Sequence, residues 1–191
     1  MRIERKEYLE RLRAWRDKQV IKVITGVRRS GKSVLLEMYA EWLREQGVPE
    51  ERIVRVNLED LDFEPLCQPT ALHSYVKERL AKGKMTYVFI DEIQLCGDFP
   101  RVVDSLYLRP DIDIYVTGSN ANLLSHEIAT MLSGRYVEIR MLPLSFREYM
   151  AVTGMAKEEA FAEFMKTGGI PYVAVMNRTD EKIDQYLEGI Y

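Results

Sequence analysis

Residues 20–33 read VIKVITGVRRSGKS, a short apolar run that leads into a complete G-x-x-x-x-G-K-S loop. The run at 20–25 predicts a buried strand. Residues 34–46 carry Leu35, Leu36, Met38, Tyr39, Trp42 and Leu43 on one face, and predict an amphipathic helix. Strand, glycine loop and helix, in that order, form the context in which this motif has a physical meaning. Gly26 and Gly31 allow the backbone to wrap tightly round an anion. The amides of Val27, Arg28, Arg29, Ser30 and Val34, with those of the helix start, then face phosphate. Lys32 is placed to reach the β- and γ-phosphates, and the Ser33 hydroxyl to hold Mg²⁺. The expected ligands are ATP or ADP with magnesium. Nothing of the Asn-Lys-x-Asp type that specifies guanine is present, which favours adenine.

The 191 residues, 47% hydrophobic and 30% charged, suffice for one well-cored α/β domain and a small appendage. Twenty-seven Lys and Arg stand against 30 Asp and Glu, a net charge of -3. That balance gives no global footprint for nucleic acid. The N-terminal helix is locally basic through Arg5, Lys6, Arg11, Arg13, Arg16 and Lys18. Glu4, Glu7, Glu10 and Asp17 nearly offset it. No stretch approaches the roughly 20 apolar residues of a membrane helix, and the first residues lead into no signal-peptide core. A cytoplasmic protein is expected, with Cys67 and Cys96 as reduced thiols.

Residues 4–18 are expected to form a charged helix whose Tyr8, Leu9, Leu12 and Trp15 cover the core. Gly47-Val48-Pro49 ends the phosphate-loop helix. Strands are expected at 53–58, 86–90, 113–117 and 136–141, with helices at 69–83, 100–108 and 122–132 between them. The nearly all-apolar TYVFI at 86–90 suits the middle of a parallel sheet covered on both faces. Helix and strand alternate five times without internal repeat. The pattern is a three-layer α/β sandwich with a largely parallel sheet. After Pro143 the character turns helical, at 144–152, 158–167 and 180–187, with Gly168-Gly169-Ile170-Pro171 as a break. Two domains are expected: a core at 1–143 and a lid-like extension at 144–191 that begins a longer polypeptide.

Asp91, at the end of the apolar strand, stands where a carboxylate is needed to hold Mg²⁺ together with Ser33. Glu92 follows at once and can polarise an attacking water. Asn120, with Ser119 beside it, ends the neighbouring strand and can position that water or sense the γ-phosphate. Gln94 either relays that signal or lies on the surface. Arg28 and Arg29 either add charge to the triphosphate or face solvent or a neighbouring domain. Arg135 is either an arginine finger for a neighbouring subunit or a salt-bridged surface residue. His73 and His126 lack partners at metal-ligand spacing and are read as structural or exposed rather than as metal ligands.

The segments ITGVRRSGKSVLL (24–36), VFIDEIQ (88–94), VTGSNANLLS (116–125), LSGRYVEIRMLPLSFREY (132–149) and GGIP (168–171) together resemble a known family. It is that of the bacterial and archaeal predicted ATPases of the AAA superfamily, the AAA domain type 14 proteins. The resemblance implies an ASCE-type P-loop NTPase core with sheet order 5-1-4-3-2. It implies a nucleotide loop at Gly26 to Ser33, a second acidic motif at Asp91-Glu92 and a sensor-like pair at Ser119-Asn120. It marks Arg135 as the arginine of the family's Ser-Gly-Arg motif. It also implies a C-terminal, nuclease-like domain beyond this chain as a partner in cis, with homo-oligomerisation a further expectation. Two functions follow: an ATPase that drives a switch in attached domains, or a nucleotide-binding regulatory scaffold with negligible hydrolysis alone.

Overall fold

In the computed structural model, residues 3–118, 132, 134–176, 183 and 188 are described. Contacts divide the chain into two compact units. The larger holds Arg5–Gly26 and Lys32–Met141; the smaller holds Val27–Gly31 and the chain from Leu142 onward, with residues 3 and 4.

The larger unit is built on five strands: β1 (Ile21–Gly26), β2 (Ile53–Asn57), β3 (Thr86–Asp91), β4 (Ile112–Gly118) and β5 (Tyr136–Met141). They lie in the order β2-β3-β4-β1-β5, and all four pairings are parallel. This is the 5-1-4-3-2 order expected, read from the other edge. Every residue of β1, β3 and β4 is buried, whereas the edge strands β2 and β5 keep exposed positions. Helices α1 (Lys6–Ala14), α2 (Lys32–Glu45), α3 (Pro69–Glu78) and α4 (Phe99–Tyr107) provide the cover.

Strand alternation distributes the apolar side chains into two cores. Val88 and Ile90 of β3 join Val23, Val54, Val116, Leu72 and Val103 on the α3–α4 side. Tyr87 and Phe89 join Ile24, Tyr115, Leu12, Leu35 and Tyr39 on the α1–α2 side. Burying one such Leu, Ile or Phe side chain contributes about 1.5–3 kcal/mol, so both faces of the sheet are held by many comparable contacts.

The second core contains a polar network at the amino ends of the strands. Lys22 of β1 is fully buried and pairs with Asp113 of β4; its Nζ also donates to the Lys18 carbonyl at 2.8 Å. Asp113 further accepts from the Tyr115 hydroxyl and the Asp17 amide, both at 2.9 Å. The Tyr87 hydroxyl donates to the Asp17 carboxylate at 2.7 Å. Burial pulls the Lys22 ammonium below its ordinary pKa and pushes the Asp113 carboxyl above its own, while each ion opposes the other's shift. The network anchors the chain just after α1, where Asp17 takes a left-handed φ of 56°.

Several sequence expectations shift at element ends. The first helix stops at Ala14, and Trp15 is 39% exposed instead of covering the core. Arg13 and Arg16 lie over the Trp42 ring at 4.8 and 5.5 Å, so part of the basic helix is spent on α2. Helix α3 ends at Glu78, five residues before Gly83. Short 3₁₀ turns at Glu50–Arg52 and Leu61–Cys67 were not foreseen. The helix expected at 122–132 falls, but for Leu132, outside the described residues, and so do Ser119, Asn120 and His126. His73 lies 3.2 Å from the Ser105 hydroxyl, and the two cysteines are free.

In the smaller unit, α5 (Phe146–Thr153), α6 (Lys157–Thr167) and α7 (Pro171–Val175) pack Leu144, Tyr149, Ala160 and Ala174 together. Ser145 caps α5 through a capping box with Glu148. Gly168 has φ 68° and ψ -165°, a region open essentially to glycine alone. The Gly169 carbonyl accepts from the Leu144 amide at 2.6 Å, and a Cβ built on Gly169 would stand 2.1 Å from the Leu144 carbonyl oxygen. The two glycines of the GGIP segment thus answer two different requirements, one conformational and one steric. Most of the helix expected at 180–187 lies outside the described residues.

Candidate functional site

At the carboxyl end of β1 the chain leaves the sheet at Gly26, with φ 154°. The following turn takes Arg29 to φ 66° and Gly31 to φ 97°, and the Ser30 amide donates to the Val27 carbonyl at 3.3 Å. Backbone of mixed hand turns successive amides to a common side, the arrangement that receives anions. Val27, Arg28 and Arg29 carry exposed side chains, while Ser30 is buried.

Helix α2 begins at Lys32 with no acidic side chain in its first turn, which leaves the positive end of its dipole uncompensated. The Lys32 side chain is buried. Its ammonium lies 3.4 Å from the Gly26 carbonyl and 3.7 Å from Oε1 of Glu92. Ser33 and Val34 follow in the first turn with exposed side chains.

The acid pair is built by the end of β3. Asp91 and Glu92 are both buried. Glu92 has left-handed backbone, φ 52° and ψ 51°, uncommon for a residue with a long side chain. One hydroxyl from the neighbouring strand serves both acids: Thr117 donates to the Asp91 carboxylate and accepts the Glu92 amide at 3.0 Å. The Gln94 amide nitrogen donates to Oε2 of Glu92. Lys32, Glu92 and Gln94 are thus brought together. Ser33 and Asp91 open on the same cavity of about 830 Å³, which Asn57 also lines.

Thr117 is the residue that reading along the chain overlooked. Its signal was available: it ends the strand beside β3 in the expected sheet order, level with Asp91. Arg135 is elsewhere. Its carbonyl accepts from Ile21, the first residue of β1, so it sits at the amino end of the sheet. About 17 Å of β1 separates it from the Gly26 end. There it is ion-paired with Asp104 and lies 5.6 Å from the Tyr107 ring centre. The structure does not bring it to Lys32 and Asp91 of its own chain.

The donor set fits magnesium with a bound polyphosphate. A hydroxyl and a carboxylate are hard oxygen donors, and Mg²⁺ commonly takes one or two protein oxygens and completes its shell with phosphate and water. Among the described residues, no group of three His, Cys, Asp or Glu side chains offers an all-protein metal cage.

A parallel sheet in this order, with a glycine loop after β1 and paired acids after β3, defines an α/β P-loop NTPase fold. The AAA domain family matches residues 18–150, and the chain belongs to that family. An uncharacterized protein of Haemophilus influenzae is 39% identical over 196 residues, covering 99% of this chain and 48% of its own length. One from Methanocaldococcus jannaschii is 29% identical over 191 residues, covering 90% and 41%. The chain therefore spans about half the length of these relatives. Among solved structures, a Walker-type ATPase of Pyrococcus abyssi superposes with a TM-score of 0.65 at 16% identity, over 99% of this chain and 73% of that one. A DNA polymerase III gamma subunit-related protein of Thermotoga maritima gives 0.58 at 12% identity, over 95% and 60%. These two likenesses concern the fold. Among the described residues no helix is long and apolar enough to cross a membrane.

Proposed function

We propose that this chain binds ATP with magnesium and hydrolyses it, and that the cycle drives a switch in attached domains. The observation that carries this reading is the buried Lys32–Glu92 pair beside a cavity lined by Ser33 and Asp91. In this reading the loop from Gly26 to Ser33 and the start of α2 receive the phosphates, and Lys32 exchanges Glu92 for phosphate oxygen. Ser33 and Asp91 hold the magnesium ion, which when bound neutralises charge on the transferring phosphoryl group. Glu92 accepts the proton of the attacking water as the new O–P bond forms and the bond to ADP breaks. Asn120 positions that water or reports the γ-phosphate. Arg135, too far to serve its own chain, acts on a neighbour in a homo-oligomer. Additional polypeptide, like the other half of the relatives, receives the switch.

A second reading has one observation behind it. A finger held by Asp104 leaves a single chain without one, which favours a nucleotide-binding regulatory module of negligible turnover when alone. Calorimetric titration with Mg-ATP and Mg-ADP, then phosphate release on the same sample, separates the two. Binding with turnover is expected, with affinity lost in Lys32→Ala and turnover lost in Glu92→Gln while binding persists. Binding by Lys32→Ala as tight as wild type would overturn the phosphate-loop assignment.

A further inference from the structure

Glu92 is constrained at every polar atom that can direct it. Its amide is given to Thr117, its carbonyl accepts from Leu95 at 3.0 Å, Oε1 faces Lys32 and Oε2 accepts from Gln94. The 3₁₀ turn Ile93–Leu95 begins directly after the left-handed Glu92. That reversal is what carries the Gln94 side chain, two residues on, back onto the carboxylate. The other end of the same amide is telling. Gln94 Oε1 is buried and, among the described residues, has no hydrogen-bond partner. A buried carbonyl oxygen without a donor is unfavourable. A hydrogen bond to an ionised carboxylate is stronger than one between neutral groups, and it sustains the pose. Gln94 is therefore oriented by Glu92 and not by its general surroundings.

We infer that Gln94 is a positioning residue for Glu92, which it shares with Lys32 before nucleotide binds and retains when Lys32 moves to phosphate. This rests on the hydrolysis reading above and adds a device to it. While Lys32 and Gln94 both engage the carboxylate, one oxygen faces a cation and the other accepts an amide hydrogen, which holds the side chain in that pose. A triphosphate draws the ammonium away and exposes Oε1, while Gln94 keeps Oε2 and prevents the side chain from following Lys32. The nucleotide thereby unlocks the base that acts on it. Gln94 itself makes and breaks no bond.

Two measurements test this. In a ¹⁵N spectrum of the chain, the Gln94 side-chain amide is identified by its loss in Gln94→Ala. It is expected to shift in Glu92→Gln, and to move but stay Glu92-dependent with a magnesium-bound non-hydrolysable ATP analogue. An amide signal indifferent to Glu92→Gln overturns the proposal. In steady-state hydrolysis, Gln94→Ala is expected to lower kcat at least about tenfold, with KM for Mg-ATP and the melting temperature unchanged. Unchanged kcat, or a joint loss of kcat, affinity and melting temperature, overturns it in favour of a packing role. A wild-type chain that binds Mg-ATP without turnover would remove the hydrolysis reading, and the amide signal alone would then decide the contact.

Discussion

Thr117 shows how much a single hydroxyl can determine. It has one hydrogen to give, which goes to Asp91, and lone pairs to accept the Glu92 amide. Thr117→Val keeps the shape and deletes both bonds, leaving a buried amide unpaired at a cost of about 1–3 kcal/mol. The expected result is a clear loss of turnover in phosphate-release assays, with Thr117→Ser close to wild type. Equal activity of the valine variant would show that the acids hold themselves. Cys96 gives a prediction of a different kind. Burial pushes its thiol up to about 11, and the thiolate is the reactive form. Alkylation of the native protein at neutral pH should spare Cys96, and mass spectrometry after unfolding should find it newly labelled.

The elements show which parts of the chain were legible in advance. Strands β1 and β3, the glycine loop and the acid pair follow from local patterns, since apolar runs and glycines act within a few residues. Thr117 and the Lys22–Asp113 pair do not, because their partners stand 26 and 91 residues away in sequence. The early stop of α3 is equally hidden; Thr86 accepts the Ala81 amide at 3.0 Å, an alternative to continued helix. The buried pair has a testable cost. Lys22→Met should lose about 3–5 kcal/mol in urea unfolding by stranding Asp113, and Lys22→Met with Asp113→Leu should recover most of it. A double variant no better than the single would mean that the surrounding tyrosines need the ions. In the smaller unit, Gly169→Ala should lower stability by at least about 2 kcal/mol, because the Leu144 carbonyl occupies the space of the added methyl group. A melting temperature equal to wild type would show that the backbone there yields.

For the molecule as a whole, the placement of Arg135 sets an expectation about assembly. If it serves a neighbour, specific activity should rise with protein concentration. Arg135→Ala mixed with Glu92→Gln should regain activity that neither has alone; no recovery at any ratio would remove the trans assignment. Asp104→Ala, which releases the arginine, should change this concentration dependence and leave nucleotide binding as it was. The common direction of the five strands has one further consequence. Their carboxyl ends carry the acids and the glycine loop, while the ion pair and its tyrosines lie at the amino ends. Substitutions separated by more than about 10 Å, without shared partners, combine additively. Resistance to heat and rate of reaction are therefore separately adjustable in this chain: substitutions at the ion pair can change the stability of the scaffold without retuning the chemistry at the far rim.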